Sequence, residues 1–198
     1  MIIDYKKRHL NLKIVYYGPA LSGKTTNLEY IHAHTDPFRR SNLVSLRTAE
    51  DRTLFFDFLQ LELGRISGLI PVIQLYTVPG QSYYQASRKV VLKGADGIVF
   101  VADSMRERTL DNIESWCDLH MHMREQQLPE NTPVIIQLNK QDATNAVSPD
   151  EMRSFLKAGD YPMVSAMAVH GKGVLETVKM VCAETIRSIQ VRAVETRV

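Results

Sequence analysis

One short run, Gly18-Pro-Ala-Leu-Ser-Gly-Lys-Thr25, constrains this chain more than any other feature. Two glycines separated by four residues and followed by Lys and Thr match the phosphate-loop pattern, which works only between a strand and a helix. Both neighbours are present. Leu12–Tyr17 reads as a strand, with Ile14 and Val15 supplying branched side chains, and Thr26–Ala33 reads as a helix. Backbone N–H groups of such a loop point at an anion, and the helix dipole adds partial positive charge. The predicted cradle comprises Gly18, Ala20, Leu21, Ser22, Gly23, Lys24, Thr25 and Thr26. Lys24 can reach β- and γ-phosphates, and the Thr25 hydroxyl can bind a magnesium ion.

Composition narrows the partners. With 198 residues, the chain is expected to fold as one domain over residues 1–198. A net charge of +2 predicts no nucleic-acid grip and no strong pull toward anionic lipid. Cys117 and Cys182 lie beside apolar residues and read as buried thiols, which suits a reducing cytosol. No signal-peptide core, membrane-spanning run or lipidation signal is visible, so a cytoplasmic protein is expected. Any recruitment to a membrane or cell pole would then pass through partners.

Strand-like and helix-like segments alternate along the chain, the signature of an α/β fold with a largely parallel sheet. Asp36–Asp51 is polar and weakly periodic, a loop by this reading. Thr53–Leu63 is an apolar segment interrupted by Asp57, Gln60 and Glu62, which Gly64–Gly68 can turn back as a hairpin toward a strand at Pro71–Val78. Gly97–Ala102 and Pro133–Leu138 are short apolar runs of the kind found in central parallel strands. A long amphipathic helix is expected over Arg106–Gln127 and another over Pro149–Leu156 with Ser148 as N-cap. Tyr161–Val164 reads as a last strand, and Gly173–Val191 as a closing helix.

Phosphate binding alone fits a kinase, an ATPase or a GTPase. Asn139-Lys-Gln-Asp142, directly after a central strand, discriminates among them. The Asp142 carboxylate can accept two N–H bonds from the guanine edge, a donor pair that adenine lacks. The stem of Lys140 can lie against the base, and Asn139 can brace the surrounding loops. Ser165-Ala166-Met167 follows the last strand, and its backbone N–H groups can approach guanine O6. Val78-Pro-Gly-Gln81 ends another strand; Gly80 allows close approach to a terminal phosphate, and Gln81 can orient an attacking water.

With these elements in order, the chain resembles a Ras-type small GTPase over roughly residues 10–190, and more narrowly the bacterial gliding-motility and polarity GTPases of the MglA type. Lys13–Pro19, Asp51–Phe58, Leu75–Gln81, Ser87–Lys89, Leu92–Gly94 and Val99–Ser104 carry the closer match. The resemblance implies a three-layer P-loop fold, its central sheet mostly parallel with one antiparallel strand. It implies a GTP/GDP switch with magnesium that recruits effectors in the GTP state. By position, Thr53 would meet magnesium and the γ-phosphate, Arg52 would act as an arginine finger from the same chain, and Gln81 would position water. A Roadblock-fold partner would serve as the activating protein.

Two departures accompany the resemblance. Thr77 stands where most Ras-like chains carry the aspartate that holds magnesium through water, although Thr-Val-Pro-Gly is itself typical of the MglA type. Magnesium would then be held more weakly or by another group. Ala20 replaces a glycine beside the γ-phosphate, where a methyl group can crowd Gln81 or the attacking water. A displacement of about 1 Å can cost about a hundredfold in rate, so slow unaided hydrolysis is expected. A GTP-dependent scaffold with negligible turnover is the alternative. His120 and His122 lie two apart in a predicted helix and point in different directions, against metal binding. The methionines read as core fillers, and the Phe-rich stretch Leu54–Leu59 as core, partner edge or both.

Overall fold

The computed structural model describes residues 2–4, 6–47, 53–66, 68–80 and 84–195. One sheet organises them. Its central strands are β2 (His9–Tyr17), β5 (Ile70–Thr77), β6 (Gly97–Asp103), β7 (Val134–Asn139) and β8 (Met163–Ser165), all parallel. On one side β4 (Thr53–Glu62) pairs antiparallel with β5, and β3 (Val44–Arg47) pairs antiparallel with β4. The order is therefore β3-β4-β5-β2-β6-β7-β8. Along this path β4 is the reversed strand that the resemblance implies. A further reversed strand, β1 (Ile2–Asp4), pairs with His9–Asn11 of β2, below the stretch that β6 covers.

The alternation of β2 builds both faces. Leu12, Ile14 and Tyr16 point to one side and join Leu28 and Ile31 of α1 (Lys24–Ala33) and Val181 and Cys182 of α5 (Val174–Glu195). Val15 and Tyr17 point to the other, against Val91 and Leu92 of α2 (Gln85–Leu92), Trp116 and Leu119 of α3 (Thr109–Glu125), and Met152 and Leu156 of α4 (Pro149–Leu156). This is a three-layer α/β arrangement. β6 and β7 are buried along their whole length, as continuous apolar runs in a doubly covered parallel sheet must be. Every parallel strand points its C-terminal end at one edge, where ligands of open α/β sheets bind.

Several expectations need correction. Val44–Arg47 lies inside the segment read as loop; it is short, Val44 is exposed, and only the edge of β4 makes it a strand. The helix expected from Arg106 begins as a 3-10 turn, Arg106–Arg108, closed by the Thr109 hydroxyl donating to the Arg106 carbonyl at 2.7 Å. It ends before Gln127, whose φ of 51° is left-handed. Cys117 is exposed, because α3 buries Asn112, Ser115, Trp116 and Leu119 on its other face. Cys182 is buried as expected, and burial pushes its thiol up to about 12. Met152 fills the core, whereas Met121 is exposed on α3. At α4 the expected cap holds: Ser148 accepts from the Glu151 N–H, and Glu151 accepts from the Ser148 N–H, a complete capping box.

Candidate functional site

The phosphate loop leaves β2 at Gly18 and enters α1 at Lys24. Gly18 has φ 144°, and a Cβ there would lie 2.3 Å from the Val101 carbonyl oxygen, so the first glycine is required by close packing. Leu21 and Gly23 both adopt left-handed φ, 64° and 97°. Left-handed residues interspersed in a loop turn successive N–H groups to the same concave side. For Leu21 that conformation carries strain, and its side chain is exposed. Thr26 is half-buried in the first turn of α1.

Inside the cradle, Lys24 is buried and its ammonium donates to the carbonyls of Gly18 at 2.9 Å and Pro19 at 2.6 Å. Burial pulls it down to about 7; Arg88 pushes the same way, and the Asp57 carboxylate opposes. Ser22 is fully buried, and its hydroxyl has no hydrogen-bond partner among the described residues. A buried cation and an orphaned hydroxyl within a glycine cradle fit a phosphate chain. The carbonyl of Ala20 accepts from Arg108 Nη2 at 3.0 Å, and Arg108 also pairs with Asp111 at 2.8 Å. Sequence reading missed Arg108. Nothing in a charged Arg-Glu-Arg run distinguishes the arginine that reaches back to the loop.

The guanine-type motif is fastened to this loop by Asn139. Its Nδ2 donates to the Ser22 carbonyl at 2.8 Å, and its Oδ1 accepts from the Ala168 N–H at 2.9 Å. One buried side chain thus bridges three loops far apart in sequence. Gly23 makes room for it, since a Cβ there would stand 2.2 Å from Asn139 Nδ2. Lys140 is left-handed, φ 66°, and its ammonium donates to the buried Asp103 carboxylate at 2.5 Å. Gln141 is held by Ser104 and the Val147 carbonyl. Asp142 is exposed.

Ser165 is exposed, Ala166 buried and Met167 half-buried in the third loop. The Ala166 N–H donates to the Leu138 carbonyl at 2.8 Å, and the Met167 N–H to the Lys172 carbonyl at 3.0 Å. Two of the N–H groups expected to face guanine O6 therefore already serve the fold. They act as positioning bonds for the turn.

On the other flank, Gly80 packs directly on the phosphate loop: a Cβ would fall 2.4 Å from both the N and Cα of Ala20. Gln81 and Arg52 lie outside the described residues. Of Thr53 only the backbone is described, paired with Arg47 as the first residue of β4. Roughly 13 Å of extended strand separates it from Asp57. Asp57 of β4 stands at Thr25. The Thr25 hydroxyl donates to Asp57 Oδ2 at 2.6 Å, and the Thr77 hydroxyl donates to the same oxygen at 2.8 Å. Sequence reading placed Asp57 only as a polar interruption of an apolar strand. A lone carboxylate among phenylalanines was the available signal.

Behind these loops, α2 is anchored by Arg88, which is 2% exposed and pairs with Asp118 of α3 at 3.1 Å. The Tyr17 hydroxyl and His122 Nδ1 share a hydrogen bond of 2.9 Å beside it. His120 instead packs edge-on against Trp116, so the two histidines diverge. A cleft of about 630 Å³ lined by Pro133, Tyr161, Arg187 and Val191 opens at the opposite end of β7 and β8, away from the phosphate loop.

The sequence matches the ADP-ribosylation factor family over residues 1–185. It is 52% identical to the mutual gliding-motility protein MglA of Myxococcus xanthus over 180 residues, 90% of this chain and 92% of that protein. ADP-ribosylation factor-like protein 2 of Arabidopsis thaliana is 26% identical over 182 residues, covering 89% of this chain and 88% of the relative. Ras-related protein Rab7 of Pisum sativum is 24% identical over 188 residues, 92% of this chain and 85% of the relative. Cradle, bridging asparagine and guanine-type loop thus occur in a chain that these sequences match nearly end to end, and the chain belongs to the ADP-ribosylation factor family of Ras-like small GTPases, as one of the MglA type.

Proposed function

We propose that this GTPase is a two-state switch of bacterial cell polarity or motility, binding GTP with magnesium, recruiting effectors in that state, and returning slowly to GDP. The Asn139 bridge carries the reading. It ties the phosphate loop at Ser22 to the loop at Ala168 and holds the Asp142 loop at the same sheet edge. A base and a phosphate chain bound there would be read by one rigid unit. The MglA relative, named for gliding motility, supplies the biological setting.

In this mechanism the chain's residues have separate tasks. Lys24 exchanges its two carbonyl acceptors for phosphate oxygens, Thr25 supplies a hydroxyl to magnesium, and Gly80 lets the backbone of residues 78–80 meet a terminal phosphate. Asp142 selects guanine by accepting from two N–H donors. Gln81 orients water, Arg52 and Thr53 complete the GTP-side contacts, and a Roadblock-fold protein assists them. Bound magnesium supplies charge neutralisation at the phosphate oxygens.

A GTP-dependent scaffold with negligible turnover is favoured by one observation: Gly80 already lies against the Ala20 backbone, which leaves little freedom beside the γ-phosphate position. The decisive experiment identifies the nucleotide that co-purifies and follows phosphate release over hours, alone and with a Roadblock-fold partner. Release that the partner accelerates supports the slow enzyme. Flat traces in both arms support the scaffold, and preferential binding of ATP sinks both.

A further inference from the structure

Position 77 lacks the carboxylate by which most Ras-like chains hold magnesium, and a buried aspartate stands beside it on the neighbouring strand. The β4–β5 ladder pairs Phe58 with Tyr76, so Asp57 lies alongside Thr77. Two hydrogen bonds lock them together: the Asp57 N–H donates to Thr77 Oγ1 at 2.8 Å, and the Thr77 hydroxyl donates to Asp57 Oδ2 at 2.8 Å. The same Oδ2 takes the Thr25 hydroxyl at 2.6 Å, while Oδ1 takes the Ser45 hydroxyl. Asp57 is fully buried, and its negative charge acts on Lys24 within the cradle.

Resting on the nucleotide-switch reading, we propose that Asp57 is the magnesium-site carboxylate of this GTPase, taking over from β4 the role that an aspartate at position 77 fills elsewhere. The donor set suits a hard cation: one carboxylate and the Thr25 hydroxyl, with Thr77 and Ser45 orienting the carboxylate from behind. Thr25 Oγ1 and Asp57 Oδ2 lie 2.6 Å apart, so a cation taken up by the Thr25 hydroxyl would also face this carboxylate, directly or through a water. Among the described residues no cluster of three or more His, Cys, Asp or Glu competes for a metal. Thr77 changes from a defect in the site to the group that holds its carboxylate in place.

Release of a fluorescent GDP analogue, measured across free magnesium concentrations from micromolar to millimolar, tests this. Wild type should retain GDP more tightly as magnesium rises. Asp57→Asn should need roughly 10- to 100-fold more free magnesium for the same retention. Adding Thr77→Asp to it should recover most of that difference, because the carboxylate returns one strand away. An unchanged magnesium dependence in Asp57→Asn overturns the proposal, as does a defect that Thr77→Asp does not relieve. Should Asp57→Asn fail to fold, wild type carrying manganese, GDP and carboxyl-13C aspartate serves instead. A resolved 13C coupling from one aspartate carboxylate to the manganese, direct or through one water, supports the assignment, and no resolvable aspartate coupling overturns it. A wild-type chain that does not retain guanine nucleotide at all sinks the switch reading itself.

Discussion

Asn139 concentrates more of the site's integrity than any residue that would touch the ligand. Its side chain has two buried partners on two separate loops, and Asn139→Ala leaves the Ser22 carbonyl and the Ala168 N–H without them. Each buried polar group left unpaired costs roughly 1–3 kcal/mol. The expected outcome is a lower urea midpoint together with faster GDP release. A variant as stable as wild type with unchanged release would show that the loops hold themselves. Ala20 sets a different limit. Its backbone lies against Gly80, so its methyl sits where the loop of residues 78–80 and the phosphate loop converge. Ala20→Gly is expected to raise single-turnover hydrolysis, by up to about a hundredfold if the methyl displaces a reacting group by about 1 Å. A slower glycine variant would remove the steric account of slow turnover.

At the scale of elements, the outer strands are where the switch must act. β4 begins at Thr53, pairs with the short edge strand β3, and shows a register irregularity between Ser45 and Arg47. Along the strand, roughly 13 Å separates Thr53 from Asp57, whose carboxylate accepts from Thr25. Loading a non-hydrolysable GTP analogue in place of GDP should change amide exchange over residues 44–60 while β6 and β7 keep theirs. Equal exchange in both states would deny β4 a part in switching. These strands also divide what was legible from what was not. β6, β7 and the loop after β2 were readable because apolar runs and a glycine–lysine pattern are local signals. β3 was not, because Val44–Arg47 is a strand only through its partner. Asp57 was missed for a related reason: its significance lies in a cross-strand neighbour, Thr77, twenty residues away. The Thr77 departure was visible, and its compensation required the register.

For the whole molecule, the binding edge is assembled from the ends of parallel strands, and the ligand's grip is therefore linked to global stability. Loops at 18–25, 139–142 and 165–168 come from β2, β7 and β8, which all run through the core. A ligand bridging them binds the folded chain and has no comparable site in the unfolded one. GDP at a hundred times its Kd should then add about 2.7 kcal/mol to the unfolding free energy. For a chain of this length that corresponds to a rise in Tm of roughly 5–10 °C. The same concentration of ADP should leave Tm near the ligand-free value, because Asp142 has no donor pair to accept from adenine. Asp142→Asn should abolish most of the GDP shift and create one with xanthosine diphosphate, since the amide offers a donor where the carboxylate offered only acceptors. Equal shifts with GDP and ADP in wild type would remove Asp142 from base selection and leave a site that recognises phosphate alone.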